Sequence, residues 1–122
     1  FAGGKFRLDG WGQADNFAFV RNDLLVLLEV ETGQKHPDTN TLKVWPYLEA
    51  HQGRAVVLIQ LFDAGAQNEK GNRGRLASWV AEKMTAALGK RFSYYRLIRG
   101  PDGLISGDFE GPRAVIFRGA LA

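Results

Sequence analysis

The chain has 122 residues and a formal net charge of +3, and its 45% of hydrophobic and 24% of charged residues are typical of one folded domain spanning residues 1–122. The absence of cysteine excludes disulfide scaffolds, thiolate zinc sites and cysteine nucleophiles, and it favours a cytoplasmic location. No apolar run approaches the roughly 20 residues that cross a membrane, so we expect no membrane partner.

Positive charge is concentrated between Glu69 and Arg99, where eight basic residues accompany only two acidic ones, while the rest of the chain is net negative. Such a cluster is typical either of a solvated helix face or of a surface that faces phosphate groups. On the second interpretation, the residues expected to contact a nucleic acid are Lys70, Arg73, Arg75 and Arg96.

The first third of the chain is predicted to form three strands. Lys5–Trp11 is the first of them, and it ends among glycines. Asn16–Val20 and Leu24–Glu31 are the second and third, joined by a tight hairpin loop at Arg21–Asp23. Because Leu24–Leu28 has no polar alternation, we expect the third strand to be covered on both faces, as a central strand is.

A helical segment is predicted to follow, beginning near Asp38 or Thr39 and ending at Gly53. Asp38 is a suitable N-cap residue. Pro46 lies inside the segment and should either kink the helix or begin a second short one, because proline has no N–H and clashes with the preceding turn. The apolar run Ala55–Phe62 is then predicted to be another buried strand.

The second half begins with a polar, glycine-containing loop at Asp63–Asn72, followed by a helix at Arg75–Leu88. The apolar stripe of this helix is predicted to comprise Leu76, Trp79, Val80, Met84, Ala87 and Leu88. Phe92–Ile98 should form a strand, Gly100–Gly103 a turn and Ala114–Arg118 a last strand. The order βββ-α-β-α-β-β predicts an α/β fold with a mixed central sheet flanked by helices.

Three acidic residues lie at the ends of the central hairpin. Asp15 precedes the second strand, whereas Glu29 and Glu31 end the third strand and share one face because they are two residues apart. The two glutamates follow five apolar residues, so their charges are costly to bury without a partner. Clustered carboxylates repel one another unless a cation intervenes, and such oxygen ligands suit Mg²⁺ or Mn²⁺.

The register of the hairpin decides whether Asp15 joins the two glutamates. If all three residues of Arg21–Asp23 form the loop, Asp15 lies opposite Glu29 and the three acids share one face. If the loop has two residues instead, Asp15 lies opposite Val30 and points away, because a slip of one residue reverses the face.

These residues carry a resemblance to a known family. Ala14-Asp15, a short hairpin, the segment Leu27–Gly33, a loop, a helix and the apolar strand Ala55–Phe62 resemble the PD-(D/E)xK nuclease superfamily. The resemblance covers roughly residues 5–100 and implies a restriction-endonuclease-like core. It also implies that Asp15 and Glu29 bind Mg²⁺ or Mn²⁺, with the backbone carbonyl of Val30 as a further ligand.

The chain departs from the family pattern in several places. Ala14 stands where the motif has proline, and Glu31 stands where it has the lysine that helps to activate water. The resemblance therefore makes Glu31 either a third ligand or the general base, and Lys35 or Lys43 could supply the missing positive charge. The helix that precedes the first strand in this family, often with another acid, is expected from a partner or from a segment outside this sequence.

The function that the resemblance implies is metal-dependent hydrolysis of phosphodiester bonds, most plainly in DNA, by a homodimer or by a domain of a larger assembly. The alternative is a catalytically inactive domain that keeps the fold and serves nucleic-acid binding or assembly. A third interpretation is a small structural α/β domain whose acidic residues are incidental.

Other polar and aromatic residues are predicted to be structural. Gln60, in an apolar strand, is expected to be buried beside a hydrogen-bonding partner rather than in contact with a phosphate. Trp45, Trp79 and Tyr94 are expected to lie mostly in or beside the core.

Overall fold

The computed structural model of the chain describes residues 4–31, 36–63, 72–100 and 105–107, with side chains except at 72–74 and 105–107. Its strands are β1 (Phe6–Arg7), β2 (Gln13–Ala14), β3 (Asn16–Arg21), β4 (Leu24–Glu31), β5 (Ala55–Asp63), β6 (Phe92–Arg99) and β7 (Ile105–Gly107). Its α-helices are α1 (Pro37–Leu42), α2 (Val44–Ala50) and α3 (Asn72–Leu88), and a 3₁₀ turn, Gly89–Arg91, follows α3.

The centre of the fold is a mixed sheet in the order β3-β4-β5-β6-β7. The three middle strands are parallel to one another, and the two outer strands, β3 and β7, run antiparallel to their neighbours. Helices α1 and α2 connect β4 to β5, and α3 connects β5 to β6, as parallel neighbours require. The predicted α/β class, with a mixed sheet flanked by helices, is confirmed.

The register of the hairpin β3-β4 is the one that a three-residue loop predicts, although the loop itself has only two residues. Phe17 pairs with Leu27, but Arg21 pairs with Leu24. A β-bulge after Phe19 accommodates the additional residue on β3 and restores the pairing. The predicted loop length was therefore wrong, while the pairing it was used to derive is present.

The predicted first strand, Lys5–Trp11, is wrong. Instead β1 and β2 pair as a separate two-stranded ribbon, and the chain turns between Leu8 and Gly12. Asp9 (φ 56°) and Gly12 (φ 133°) adopt positive φ angles in this turn, which a continuous strand cannot contain. The glycines that were expected to end a strand thus belong to a reversal of the chain.

The helical segment between β4 and β5 divides at Lys43, not at Pro46. Lys43 ends α1 and precedes α2, so Pro46 occupies the first turn of α2, where a missing N–H costs no helical hydrogen bond. The predicted N-cap, Asp38, lies in the first turn of α1 because Pro37 begins the helix and His36 precedes it.

The core has two parts, one on each face of the sheet. The part on the helix side contains the buried residues Leu25, Leu27, Val56, Leu58 and Phe92 of the sheet, with Val44, Tyr47, Leu48, Ala81 and Met84 of α2 and α3. The part on the opposite side contains Leu24, Val26, Val57, Ile59, Leu61, Tyr95 and Leu97. Burial on both faces explains why β4 and β5 are almost continuously apolar.

The buried face of α3 differs from the predicted stripe. Leu76 and Trp79 are 43% and 55% exposed, whereas Ala77, Ala81 and Met84 are buried. The helix also starts three residues earlier than predicted, at Asn72. Small residues that allow close packing were overlooked because the larger apolar residues beside them have nearly the same helical spacing.

Three parts of the prediction lie outside the described residues. They are most of the loop that precedes α3, most of the turn Gly100–Gly103 and the last strand, Ala114–Arg118. Within the described part, β7 is an antiparallel edge strand that the sequence patterns did not predict.

We predict that Leu27→Ala lowers the free energy of unfolding by about 2–5 kcal/mol, because Leu27 is fully buried between β4 and the helices and its loss leaves a cavity. Leu76→Ala is the matched control, and its partly exposed side chain should cost less than about 1 kcal/mol. Urea unfolding of both variants measures the difference. Equal losses would contradict the assignment of these two residues to core and surface.

Candidate active site

The three predicted acids come together where β4 ends beneath α1. Glu29 and Glu31 lie on the helix side of the sheet, the face that also carries Leu25 and Leu27. Asp15 stands just before β3, is exposed, and accepts a hydrogen bond from the backbone N–H of Val30 through Oδ2 at 2.9 Å. The carboxylate of Asp15 is thus fixed at the backbone position between the two glutamates.

Lys43 lies in an enclosed contact with Glu29, which is an ion pair when Glu29 has lost its proton. Its Nζ lies 2.8 Å from Oε1 of Glu29, and the two side chains are only 8% and 3% exposed. The same ammonium group donates to the backbone carbonyl of Gln13 and to Oδ1 of Asn40, the latter at 3.0 Å. Lys43, between α1 and α2, therefore places an amino group directly against Glu29.

Glu31 is held by amide donors instead of a cation. Nδ2 of Asn40 lies 3.3 Å from Oε1 and 3.1 Å from Oε2, and Nε2 of Gln60 donates to Oε2 at 3.1 Å. Since Asn40 also accepts from Lys43, it connects the ion pair to the second glutamate. The two glutamates belong to one hydrogen-bonded network.

Gln60 joins this network to three other elements. It is fully buried on β5, beside Glu29 on the neighbouring strand. Its Nε2 also donates to the carbonyl of Pro37 at 2.8 Å, and its Oε1 accepts from the hydroxyls of Thr41 and Tyr94. The expectation of a buried, hydrogen-bonded glutamine is confirmed, and its role is to fix α1 over the end of β4.

Burial raises the pKa of both glutamates. It raises the pKa of Glu29 from an ordinary 4.5 to about 8, against the lowering effect of Lys43, and the negative charges of Asp15 and Glu31 add to the rise. Burial also raises the pKa of Glu31, opposed by the hydrogen bonds from Asn40 and Gln60. These acids accept a proton more readily than exposed carboxylates do.

The donor set fits a site of two carboxylates better than one of three. Among the described residues, no group of three or more His, Cys, Asp or Glu side chains is placed to hold a metal ion. Mg²⁺ is commonly held by only one or two carboxylates, with water and substrate phosphate completing its shell. Asp15 is accessible, and Oε1 of Glu29 is buried without a hydrogen bond of good geometry, whereas both oxygens of Glu31 already accept from amides.

The basic residues of the predicted nucleic-acid surface are partly engaged elsewhere. Arg96 lies on the same sheet face as Glu29, two strands away, where it donates to Ser78 and stacks on Phe62. Arg75 is exposed on α3. Lys35, Lys70 and the side chain of Arg73 lie outside the described residues.

Two further basic residues of the positive stretch have structural roles. Arg91 donates to the backbone carbonyls of Leu48 and His51 at the end of α2. Arg99 forms an ion pair with Asp63 at 2.6 Å. The phosphate-facing surface expected from charge alone is therefore smaller than the number of basic residues suggests.

Asn40 and Thr41 are site residues that sequence reasoning missed. Both belong to a short polar helix, and nothing in their spacing distinguishes them from a solvated helix surface. Lys43 was among the candidates, although its pairing with Glu29 depends on the break between α1 and α2.

No family model, curated protein or solved structure matches this chain. Among the described residues, no helix combines the length and the apolar character needed to cross a membrane. Function must therefore be argued from the geometry of the site.

We predict that the stability of the protein depends on pH through Glu29. Between about pH 4.5 and pH 8 the folded protein keeps a proton that the unfolded chain releases, so the free energy of unfolding should fall as pH rises. The slope contributed by one such group is up to about 1.4 kcal/mol per pH unit. Glu29→Gln should remove this contribution and flatten the curve.

The measurement is urea unfolding at several pH values between 4.5 and 9. Glu82→Gln, which removes an exposed acid from α3, is the matched control and should keep the slope of the unmodified protein. An unchanged slope in Glu29→Gln would show that Glu29 does not have the raised pKa.

We further predict that Gln60→Leu lowers the free energy of unfolding by about 1–3 kcal/mol, because it removes the donor to Glu31 and to the carbonyl of Pro37 within a buried network. Gln52→Leu provides the control, since Gln52 is exposed and donates to the carbonyl of Glu49 at the surface. Urea unfolding compares them, and a loss no larger for Gln60→Leu than for Gln52→Leu would exclude a stabilising role.

Proposed function

We propose that this protein is a metal-dependent nuclease that hydrolyses phosphodiester bonds in DNA. The observation that carries the proposal is the contact between Lys43 and Glu29. The resemblance to the PD-(D/E)xK superfamily lacks a lysine at Glu31, and Lys43 offers an ammonium group beside the same carboxylates from the junction of α1 and α2.

The roles of the residues follow from their surroundings. Asp15 and Glu29 would hold Mg²⁺ or Mn²⁺, with the carbonyl of Val30 as a further ligand. The metal ion would lower the pKa of a bound water and neutralise charge on the phosphate. Glu31, fixed by two amides and with a raised pKa, is the general base that accepts the proton from water, and Lys43 stabilises negative charge on the phosphate.

The topology supports the restriction-endonuclease-like core that the resemblance implies. An antiparallel hairpin delivers the acids to one end of β4, and a helical connection leads to the parallel strand β5. Arg75 and Arg96 are the described residues proposed to face the DNA backbone. A homodimer or a larger assembly remains the expected form, and the cytoplasmic location stays a prediction.

A second candidate is a catalytically inactive domain that binds nucleic acid or serves assembly. It is favoured by one specific observation, namely that protein donors already engage all three carboxylates. In an inactive domain, the ion pair of Glu29 and Lys43 would serve stability in place of chemistry.

We predict that the protein cleaves plasmid DNA in the presence of Mg²⁺ or Mn²⁺ but not in EDTA, and that Asp15→Ala abolishes cleavage by removing a metal ligand. Glu31→Gln should lower the rate by about 10²–10⁴-fold because an amide does not accept the proton. Glu31→Lys should also lose most activity, since it places a second cation beside the metal. Glu82→Ala, an exposed acid on α3, is the control that should cleave at the unmodified rate.

The outcomes separate the candidates. A protein that is inactive until Glu31→Lys restores cleavage is a degenerate nuclease, and the second candidate is then correct. Salt-sensitive DNA binding without any cleavage supports the same conclusion. Unchanged rates in both Glu31 variants would show that Glu31 takes no part in the reaction.

A further inference from the structure

An aromatic groove lies beside the candidate active site, against α1 and α2. It has a volume of about 560 Å³, and its apolar walls are formed by Trp11, Leu42, Trp45 and Pro46. The indole of Trp11 is 59% exposed and Leu42 is 48% exposed, so a large apolar surface faces solvent here. Exposed aromatic surface around a groove is characteristic of a binding site.

The groove and the candidate active site share Lys43. Lys43 is one of the residues that line the groove, and its Nζ contacts Glu29 of the candidate active site. The turn that carries Trp11 is tied to the same lysine, because the carbonyl of Gln13 accepts from Nζ. Backbone hydrogen bonds between Leu8 and both Trp11 and Gly12 hold this turn in place.

The chemistry of the groove indicates its occupant. Besides the paired Lys43, the polar residues that line it are Thr39 and Glu49, and an acidic side chain disfavours a phosphate group inside the groove. An uncharged, flat, aromatic group suits walls of tryptophan, leucine and proline. A nucleobase is such a group. In a nucleic-acid strand, the distance from a base to its own phosphate is similar to the length of a lysine side chain.

We propose that this groove binds an unpaired nucleobase of a DNA strand whose phosphate lies at the carboxylates; this inference rests on the proposed function and narrows its substrate class. A base can enter the groove only when it is out of the duplex stack, as in single strands or at flipped-out nucleotides. The substrate is therefore DNA with unpaired nucleotides, and Trp11 is the stacking platform.

The test compares Trp11→Ala with Trp79→Ala. The two tryptophans are almost equally exposed, but Trp79 lies on α3 and does not line the groove. Affinity is measured with Ca²⁺ in place of Mg²⁺, so that the carboxylates can still hold a cation beside the phosphate while cleavage is slowed, for a short oligothymidylate and for an abasic phosphodiester chain of equal length. Quenching of tryptophan fluorescence reports occupancy of the groove.

Trp11→Ala should weaken oligothymidylate binding by about 5- to 100-fold, the effect of losing one stacked base, and should leave binding of the abasic chain unchanged. Trp79→Ala should keep both affinities and most of the quenching. Equal affinity of Trp11→Ala and the unmodified protein for oligothymidylate would overturn the inference. So would failure of the unmodified protein to bind oligothymidylate, as expected if the groove holds a peptide instead.

The cleavage assay distinguishes this inference from the proposed function. If binding depends on the bases and on Trp11 but no metal-dependent cleavage is found, the proposal that the groove binds a nucleobase is supported and the proposed nuclease activity is contradicted. Metal-dependent cleavage, together with an oligothymidylate affinity that Trp11→Ala does not change, would support the proposed nuclease activity and contradict the proposal that the groove binds a nucleobase.

Discussion

Glu29 and Lys43 are in direct contact at a place almost wholly removed from solvent, and the arrangement of the site depends on this contact. Two carboxylates at the end of a buried strand are costly, because water no longer stabilises their charge. Lys43 partly offsets that cost for Glu29, and amide donors do so for Glu31. The polar groups around Glu29 and Glu31 are therefore placed where they can offset the cost of burying the two carboxylates.

The same requirement explains why the helical connection between β4 and β5 is divided. Lys43 ends α1 and precedes α2, and Pro46 lies in the first turn of α2. With the division at Lys43, Asn40 and Lys43 both reach the end of β4 from one short segment. Helix α2 is then free to bury Tyr47 and Leu48 against the sheet. One junction thus serves both the polar site and the apolar core.

Features with strict periodicity could be predicted from the sequence. Strand β4 has its predicted bounds, and the placing of Glu29 and Glu31 on one face follows from the two-residue period of a strand. The pairing of the hairpin was also predicted, although by a loop of the wrong length, because a bulge is invisible in the pattern of apolar residues. The reversal at Asp9 and Gly12 was missed for a similar reason, since it depends on positive φ angles and not on hydropathy.

Features that depend on tertiary packing could not be predicted. On α3, two apolar faces compete, and only packing against α1 and the sheet selects Ala77 and Ala81 over Leu76 and Trp79. Asn40 and Thr41 look like ordinary surface residues until α1 is laid over β4. The positions of the acids and the burial of Gln60 were therefore predictable from the sequence, whereas the roles of Asn40 and Thr41 were not.

The β-bulge after Phe19 has a consequence for how the protein tolerates changes in length. The bulge accommodates one additional residue on β3, between Phe19 and Arg21. Loss of that residue would leave a regular hairpin with the same partners, so Asp15 would keep its place beside the glutamates. Loss of a residue between Asn16 and Phe19 would instead shift Asp15 by one position and turn it away. The hairpin tip thus tolerates the loss of this residue without a change of register, while the segment behind it does not.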